Sequence, residues 1–303
     1  MAGENRNYCE EFLSVALPGD YIHQNLRSVS EMTISKEEAR AKAAATYNAA
    51  SDHYDDSALS FWDRYGRRTV ERLSLQPGAS VLDVCSGSGA SALPAAEQVA
   101  PDGRVLAVDL AVGLLDLAGA KAMRRGLSNI EFRVGDFEEL GLPDNSFDAV
   151  ICVFGIFFVP DMPRAVRELW RMVSPGGQLA VTTWGPNFCE PANTIFWDTV
   201  RRERPDLYKG FNPWDRICDP LSVKTMLKEA DVDITDVVAE SGRQTLKAPD
   251  DWWAIVLGSG YRGTIEQLDP EARERVRQAN LTSVQNSKIR AVETNVVYAV
   301  AKK

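Results

Sequence analysis

Only two histidines occur in the chain, His23 and His53, and neither stands at metal-ligand spacing from a cysteine. The five cysteines, Cys9, Cys85, Cys152, Cys189 and Cys218, are odd in number and widely spaced, with no CxxC among them. The usual signatures of a zinc site and of a disulfide framework are therefore missing, and the expectation is no metal and a reducing, cytoplasmic setting. No apolar run approaches the ~20 residues of a membrane helix. The longest, residues 149–159, sits mid-chain and reads as a buried strand entering a loop. The first residues carry Glu4, Glu10, Glu11 and Asp20, and their one apolar stretch, 12–17, is too short for a signal-peptide core. Positive charge is also scarce: 34 Lys and Arg stand against 43 Asp and Glu, a formal net charge of −9. That balance disfavours a general binder of phosphate backbones, and no basic flanking module for nucleic acid is present.

What is present is a strong alternation. Ser35 and Glu38 form a capping-box pattern that opens a helix through residues 39–48, and a second helix spans about 59–73. Strands are predicted at 80–84, 104–108, 130–134, 147–153 and 178–183. Helices at 90–99, 112–125 and 162–173 separate them. Pro94 is tolerable in the first turn of its helix, where backbone N–H groups are unpaired. Strands alternating with helices argue for a parallel sheet covered on both faces, and the near-continuous apolar run 149–153 suits such a strand. After Trp184 the rhythm breaks. Helices are expected near 190–203, 221–230, 249–258 and 270–287, with strands at 234–240 and 295–301. Residues 1–34 read as an N-terminal extension.

The chemistry-bearing feature is Val81-Leu82-Asp83-Val84-Cys85-Ser86-Gly87-Ser88-Gly89, a hydrophobic strand ending in a Gly-rich turn. Gly87 and Gly89 let backbone N–H groups approach a ligand without an intervening Cβ. About twenty residues on, Asp109 ends the second strand, where a carboxylate can accept hydrogen bonds from a ribose diol. The turn lacks the third glycine of a dinucleotide fingerprint. Asp83 would repel a diphosphate but suit a cationic amino-acid group. It can also fix the turn through backbone N–H groups.

These residues resemble class I S-adenosylmethionine-dependent methyltransferases. Asp83 to Gly89 looks like the first motif of that class, with Cys85 replacing its first glycine. Asp109 is similar to its ribose-binding acid, and Val134-Gly135-Asp136-Phe137 to the motif whose acid meets the adenine amino group. Arg171 to Gly177 resembles the turn before its fifth strand. Trp62 to Val70 and Phe154 to Asp161 are most similar to the quinone C-methyltransferase-like group. The stretch Thr182-Thr183-Trp184-Gly185-Pro186 departs from that group, which carries an acidic residue and a serine there.

The resemblance implies a doubly wound, mostly parallel, seven-stranded Rossmann-like α/β sheet, with N-terminal helices and a helical lid after strand five. It implies one methyltransferase domain over 35–303, in which 187–290 holds a helical substrate cap. S-adenosylmethionine is the implied cofactor, leaving as S-adenosylhomocysteine, with Asp83, Cys85, Gly87, Gly89, Asp109, Leu110, Asp136, Phe137 and Val153 as its site. His53 and Tyr54 are the candidate catalytic groups, since an imidazole titrates near neutrality. Phe61, Trp62, Phe157, Phe158, Trp184, Trp252 and Trp253 are the candidate substrate wall, with Phe188, Phe196 and Trp197 offered by the late segment. The expected partner is a small, largely apolar or aromatic acceptor, with no nucleic acid and no membrane span. A nucleotide-dependent oxidoreductase and a non-methylating protein that keeps the cofactor fold are the alternatives.

Overall fold

The computed structural model describes residues 36–303. The extension over 1–34, including Cys9 and His23, and the Ser35 cap lie outside the described residues. The chain divides into two units, 1–39 and 40–303. Of the first, Lys36–Ala39 form the opening turn of a helix; the second carries everything that follows.

Helices α1 (Lys36–Ala50) and α2 (Phe61–Glu71) precede the sheet. The alternation then runs β1 (Ser80–Val84), α3 (Ala92–Val99), β2 (Arg104–Asp109), α4 (Val112–Arg124), β3 (Ile130–Val134), β4 (Phe147–Val153), α5 (Met162–Met172) and β5 (Val173–Trp184). Pro94 is the third residue of α3, where its missing N–H breaks no helical bond. Strand β5 is longer than its apolar run because Pro175 to Gly177 is absorbed as an irregularity. The pairing moves from Phe147 opposite Val173 to Ala149 opposite Gln178. On α5, Met162, Ala165, Val166, Leu169 and Met172 face inward, and Asp161 caps the helix by accepting the Arg164 N–H at 3.0 Å.

After β5 come α6 (Ala192–Glu203), α7 (Pro220–Glu229), β6 (Ile234–Glu240), β7 (Arg243–Thr245), α8 (Pro249–Leu257), α9 (Arg262–Ile265), α10 (Pro270–Asn286), β8 (Ala291–Glu293) and β9 (Val296–Lys302). The main sheet has seven strands in the order β3-β2-β1-β4-β5-β9-β6. β1 to β5 are parallel, and β9 alone runs against its neighbours. β6 completes the sheet and α7 packs on it, whereas α6 and α8 pack on α10. The ribbon β7–β8 was invisible in the pattern, because three-residue strands carry no readable period.

Central strands β1 and β4 are buried on both faces: Val81, Leu82, Val84, Ala149, Val150, Ile151 and Cys152 are inaccessible to solvent. The strand order reverses between β1 and β4, so the crevice outside their carboxyl ends is where an open sheet of this kind takes a ligand. Among the described residues no helix is long and apolar enough to cross a membrane.

Candidate active site

The turn after β1 alternates in hand. Cys85, Gly87 and Gly89 have φ of +52°, +52° and +87°. Left-handed residues alternating along a chain curl its N–H groups into one concavity. Gly89 has no room for a side chain, since a Cβ would stand 2.9 Å from Leu93 Cγ. At Gly87 the neighbour is Tyr54, whose hydroxyl would lie 3.2 Å from an added Cβ. Cys85 holds the same hand without being glycine, and its side chain leans against Gly155 beyond β4. A Cβ on Gly155 would stand 2.5 Å from that of Cys85.

Asp109 binds the turn from the side. Its Oδ2 accepts the Gly87 N–H and its Oδ1 the Ala111 N–H, both at 2.8 Å. Burial raises its pKa, while bonds from Ala111, Gly87 and Leu110 pull the other way. Asp83 is fully buried behind the turn. One oxygen accepts the Ser91 hydroxyl at 2.7 Å, the other has no hydrogen-bond partner, and burial pushes the group up to about 7. The contact that Asp83 shows is thus with the Ser91 side chain, at the start of α3. Ser86 Oγ is likewise buried without a partner. Buried polar atoms are normally paired, so two unmatched ones beside a glycine turn and a carboxylate fit a polar ligand's contact edge.

Asp136 accepts the Glu138 N–H at 2.9 Å and is ion-paired with Arg40, which also reaches Glu139 at 2.9 Å. The acid assigned to an adenine amino group thus already has a cationic partner here. Phe137 and Val153 are buried and Leu110 half-buried. Among the described residues no group of three or more His, Cys, Asp or Glu is arranged to hold a metal ion.

Beside the turn, aromatic rings make a closed circuit. Tyr47 meets Tyr54 at 6.3 Å between centroids, Tyr54 stacks on Trp62 at 5.2 Å, and Trp62 meets Trp184 at 5.5 Å. Trp184 meets Phe188 at 4.0 Å, Phe188 meets Trp214 at 5.5 Å, and Trp214 meets Phe157 at 5.4 Å. Phe157 touches Phe158 at 4.9 Å, and Phe158 returns to Tyr47 at 5.7 Å. Phe61, Tyr65 and Phe154 back this collar at Trp62 and Trp184. Of the expected wall, Phe61, Trp62, Phe157, Phe158 and Trp184 come together. Phe154, Tyr65 and Trp214 join them and were not singled out. Phe154 had a readable signal, as it directly precedes Gly155 at the end of the fourth strand.

Four other expected site residues are placed as follows. Trp252 belongs to a second cluster within the helical layer, with Phe196, Trp197, Tyr208 and Tyr261. It is inaccessible to solvent and its indole N–H donates to Asn280 Oδ1 at 3.1 Å, so it packs α8 on α10 rather than lining the collar. Trp253 is buried on the same helix, and no ring contact among the described residues joins it to the collar. His53 Nδ1 lies 2.8 Å from Asp56 on its own loop, with 37% of its side chain exposed, which does not aim it at the collar. Tyr54 is in the collar, but burial holds its phenol well above the usual value, so it is a hydrogen-bond donor at neutral pH and not a base.

Known proteins resemble this chain in sequence and in fold. Demethylmenaquinone methyltransferase of Listeria welshimeri is 37% identical over 161 residues, 52% of this chain and 67% of that protein. Aklanonic acid methyltransferase DauC of a Streptomyces species is 34% identical over 144 residues, 48% of this chain and 66% of that protein. The solved structure of YcgJ from Bacillus subtilis is similar in fold, with a TM-score of 0.53 at 18% identity, covering 79% of this chain and 98% of that one. Residues 32–196, more than half of the chain, match the ubiE/COQ5 methyltransferase family. With its glycine turn, strand-end acid and mostly parallel seven-stranded sheet, the chain belongs to the ubiE/COQ5 methyltransferase family and is a methyltransferase dependent on S-adenosylmethionine.

Proposed function

We propose that the protein methylates a small, largely apolar or aromatic acceptor held within the collar. The carrying observation is the collar itself: eight rings in a closed circuit beside the glycine turn, at the carboxyl ends of β4 and β5. S-adenosylmethionine supplies a methyl group already activated on a sulfonium. Asp109 is assigned to the ribose diol, and Gly87 and Gly89 to main-chain contact with the ligand. Phe137, Leu110 and Val153 are assigned to the flanks of the adenine, and Asp136 to its amino group once Arg40 gives way.

The protein's part is then to align acceptor and methyl and to exclude water. Buried aromatic faces do both, since they pack flat substrates and offer no competing nucleophile. None of the eight collar side chains is a base at neutral pH. The acceptor is therefore one that sheds its proton easily: a phenol, a quinol, or an enol flanked by carbonyls. Relatives named for demethylmenaquinone and aklanonic acid support that class.

The test is incubation with methyl-labelled S-adenosylmethionine and a panel of phenols, naphthoquinols, hydroxyanthraquinones, alkylamines and thiols. Label passing to the hydroxy-aromatic members is expected. Label passing to amines or thiols alone would overturn the acceptor class.

A further inference from the structure

Lys121, on α4, is a cation carried almost wholly inside the protein, 8% exposed. Its Nζ donates to Ser88 Oγ at 2.8 Å and to Asp55 Oδ1 at 2.9 Å, with Asp63 at 3.9 Å. The Ser88 hydroxyl donates to the same Asp55 oxygen at 2.7 Å. Ser88 sits between the two turn glycines. Each acid directly follows a collar aromatic, Tyr54-Asp55 and Trp62-Asp63. Those two rings are stacked face to face, 5.2 Å apart and 1° from parallel, with the Tyr54 hydroxyl against Gly87. Two aromatic–acid pairs thus converge on one buried ammonium and on the turn itself.

We propose that Lys121 is a positioning residue that pins the 54–63 segment onto the glycine turn, so that the Tyr54–Trp62 stack closes over the bound cofactor. The proposal rests on the cofactor placement given above. A buried ammonium is costly without an anion, and both carboxylates near Lys121 come from this one segment. Lifting the segment would leave the cation facing only the Ser88 hydroxyl. Segment and turn therefore move as one body, and the closed form is the one the charge selects. Asp55 carries more of the latch than Asp63, which is farther away and more exposed.

The experiment uses the full-length chain and its Lys121→Met, Lys121→Arg and Asp55→Asn variants. Amide hydrogen exchange in the ligand-free protein is followed at residues 51–63 and in β1 and β4, and S-adenosylhomocysteine dissociation by stopped flow. Lys121→Met is expected to speed exchange in 51–63 while leaving β1 and β4 unchanged. It is expected to speed dissociation about tenfold. Lys121→Arg should restore most of both. Asp55→Asn should match Lys121→Met, with the double variant no worse than either. Wild-type exchange and dissociation in Lys121→Met, or faster exchange spread evenly through β1 and β4, would overturn the proposal. Should Lys121→Met not fold, Asp55→Asn carries the same expectation and the same refutation. A wild type that fails to bind S-adenosylhomocysteine would defeat the cofactor placement, while the exchange pattern would still judge the latch.

Discussion

Phe154 and Trp184 lie face to face, their ring centroids 3.8 Å apart and their planes 12° from parallel. Phe154 reaches this position through left-handed backbone, φ +54°, with its N–H bonded to the Thr182 carbonyl at 2.8 Å. That conformation costs a bulky residue about 1–3 kcal/mol, which ring burial and stacking offset. The carboxyl ends of β4 and β5 are thereby joined behind the collar. Phe154→Leu is expected to raise the acceptor's KM several-fold while leaving the dissociation constant of S-adenosylhomocysteine nearly unchanged. Steady-state kinetics alongside calorimetry separate the two. An unchanged KM in a folded variant would remove Phe154 from the acceptor wall.

Gly155 and Cys85 make a complementary pair, one giving up the space that the other fills. Gly155→Ala is expected to destabilise the protein by about 1–3 kcal/mol, the scale of forced overpacking. Adding Cys85→Gly should recover most of that loss, since it removes the obstructing side chain and leaves a residue at ease at positive φ. Urea unfolding of the single and double variants measures the coupling. Additive losses would show that the two sites do not share this space.

Stability should fall as pH rises from about 4 to about 7. Burial holds Asp83 at about 7 in the folded protein, whereas an unfolded aspartate titrates near 3.9. Between those values the native state keeps a proton that the unfolded state has released, so unfolding becomes easier with rising pH and then levels off. The slope is at most about 1.4 kcal/mol per pH unit from this group, and Asp109, raised by its own burial, acts in the same direction. Asp83→Asn should flatten the decline between about pH 4 and pH 7 in urea unfolding. An equal decline in both proteins would contradict the buried titration.

Trp252 should behave as a packing residue. Trp252→Phe leaves Asn280 Oδ1 without its donor, and an unsatisfied buried acceptor costs about 1–3 kcal/mol. The melting temperature should drop while the acceptor's KM holds. A raised KM at unchanged stability would return this tryptophan to the substrate wall.

The sheet was legible because its signal is local. The central strands are short apolar runs bounded by turn residues, and the Asp83-to-Gly89 stretch announces its own conformation by composition. The collar was half legible. Aromatics can be counted in a sequence, but nothing local tells Trp184, in the circuit, from Trp252, which packs two helices. That distinction depends on contacts beyond the local sequence: Trp184 meets Trp62, far upstream, and Trp252 reaches Asn280 on another helix. Phe154 had Gly155 beside it as a pointer, but its own left-handed backbone is one that local rules give to glycine and asparagine. Lys121 reads as an ordinary helix-end cation, because its two carboxylates lie some sixty residues upstream.

The central claim is that the glycine turn and Asp109 hold a nucleoside carrying an amino-acid tail, not a dinucleotide. Calorimetric titration with S-adenosylhomocysteine and with NAD, on the wild type and on Asp109→Ala, tests it most directly. The account predicts binding of S-adenosylhomocysteine and none of NAD, with Asp109→Ala weakening the former by about 1–3 kcal/mol. Binding of NAD with no response to S-adenosylhomocysteine would contradict it.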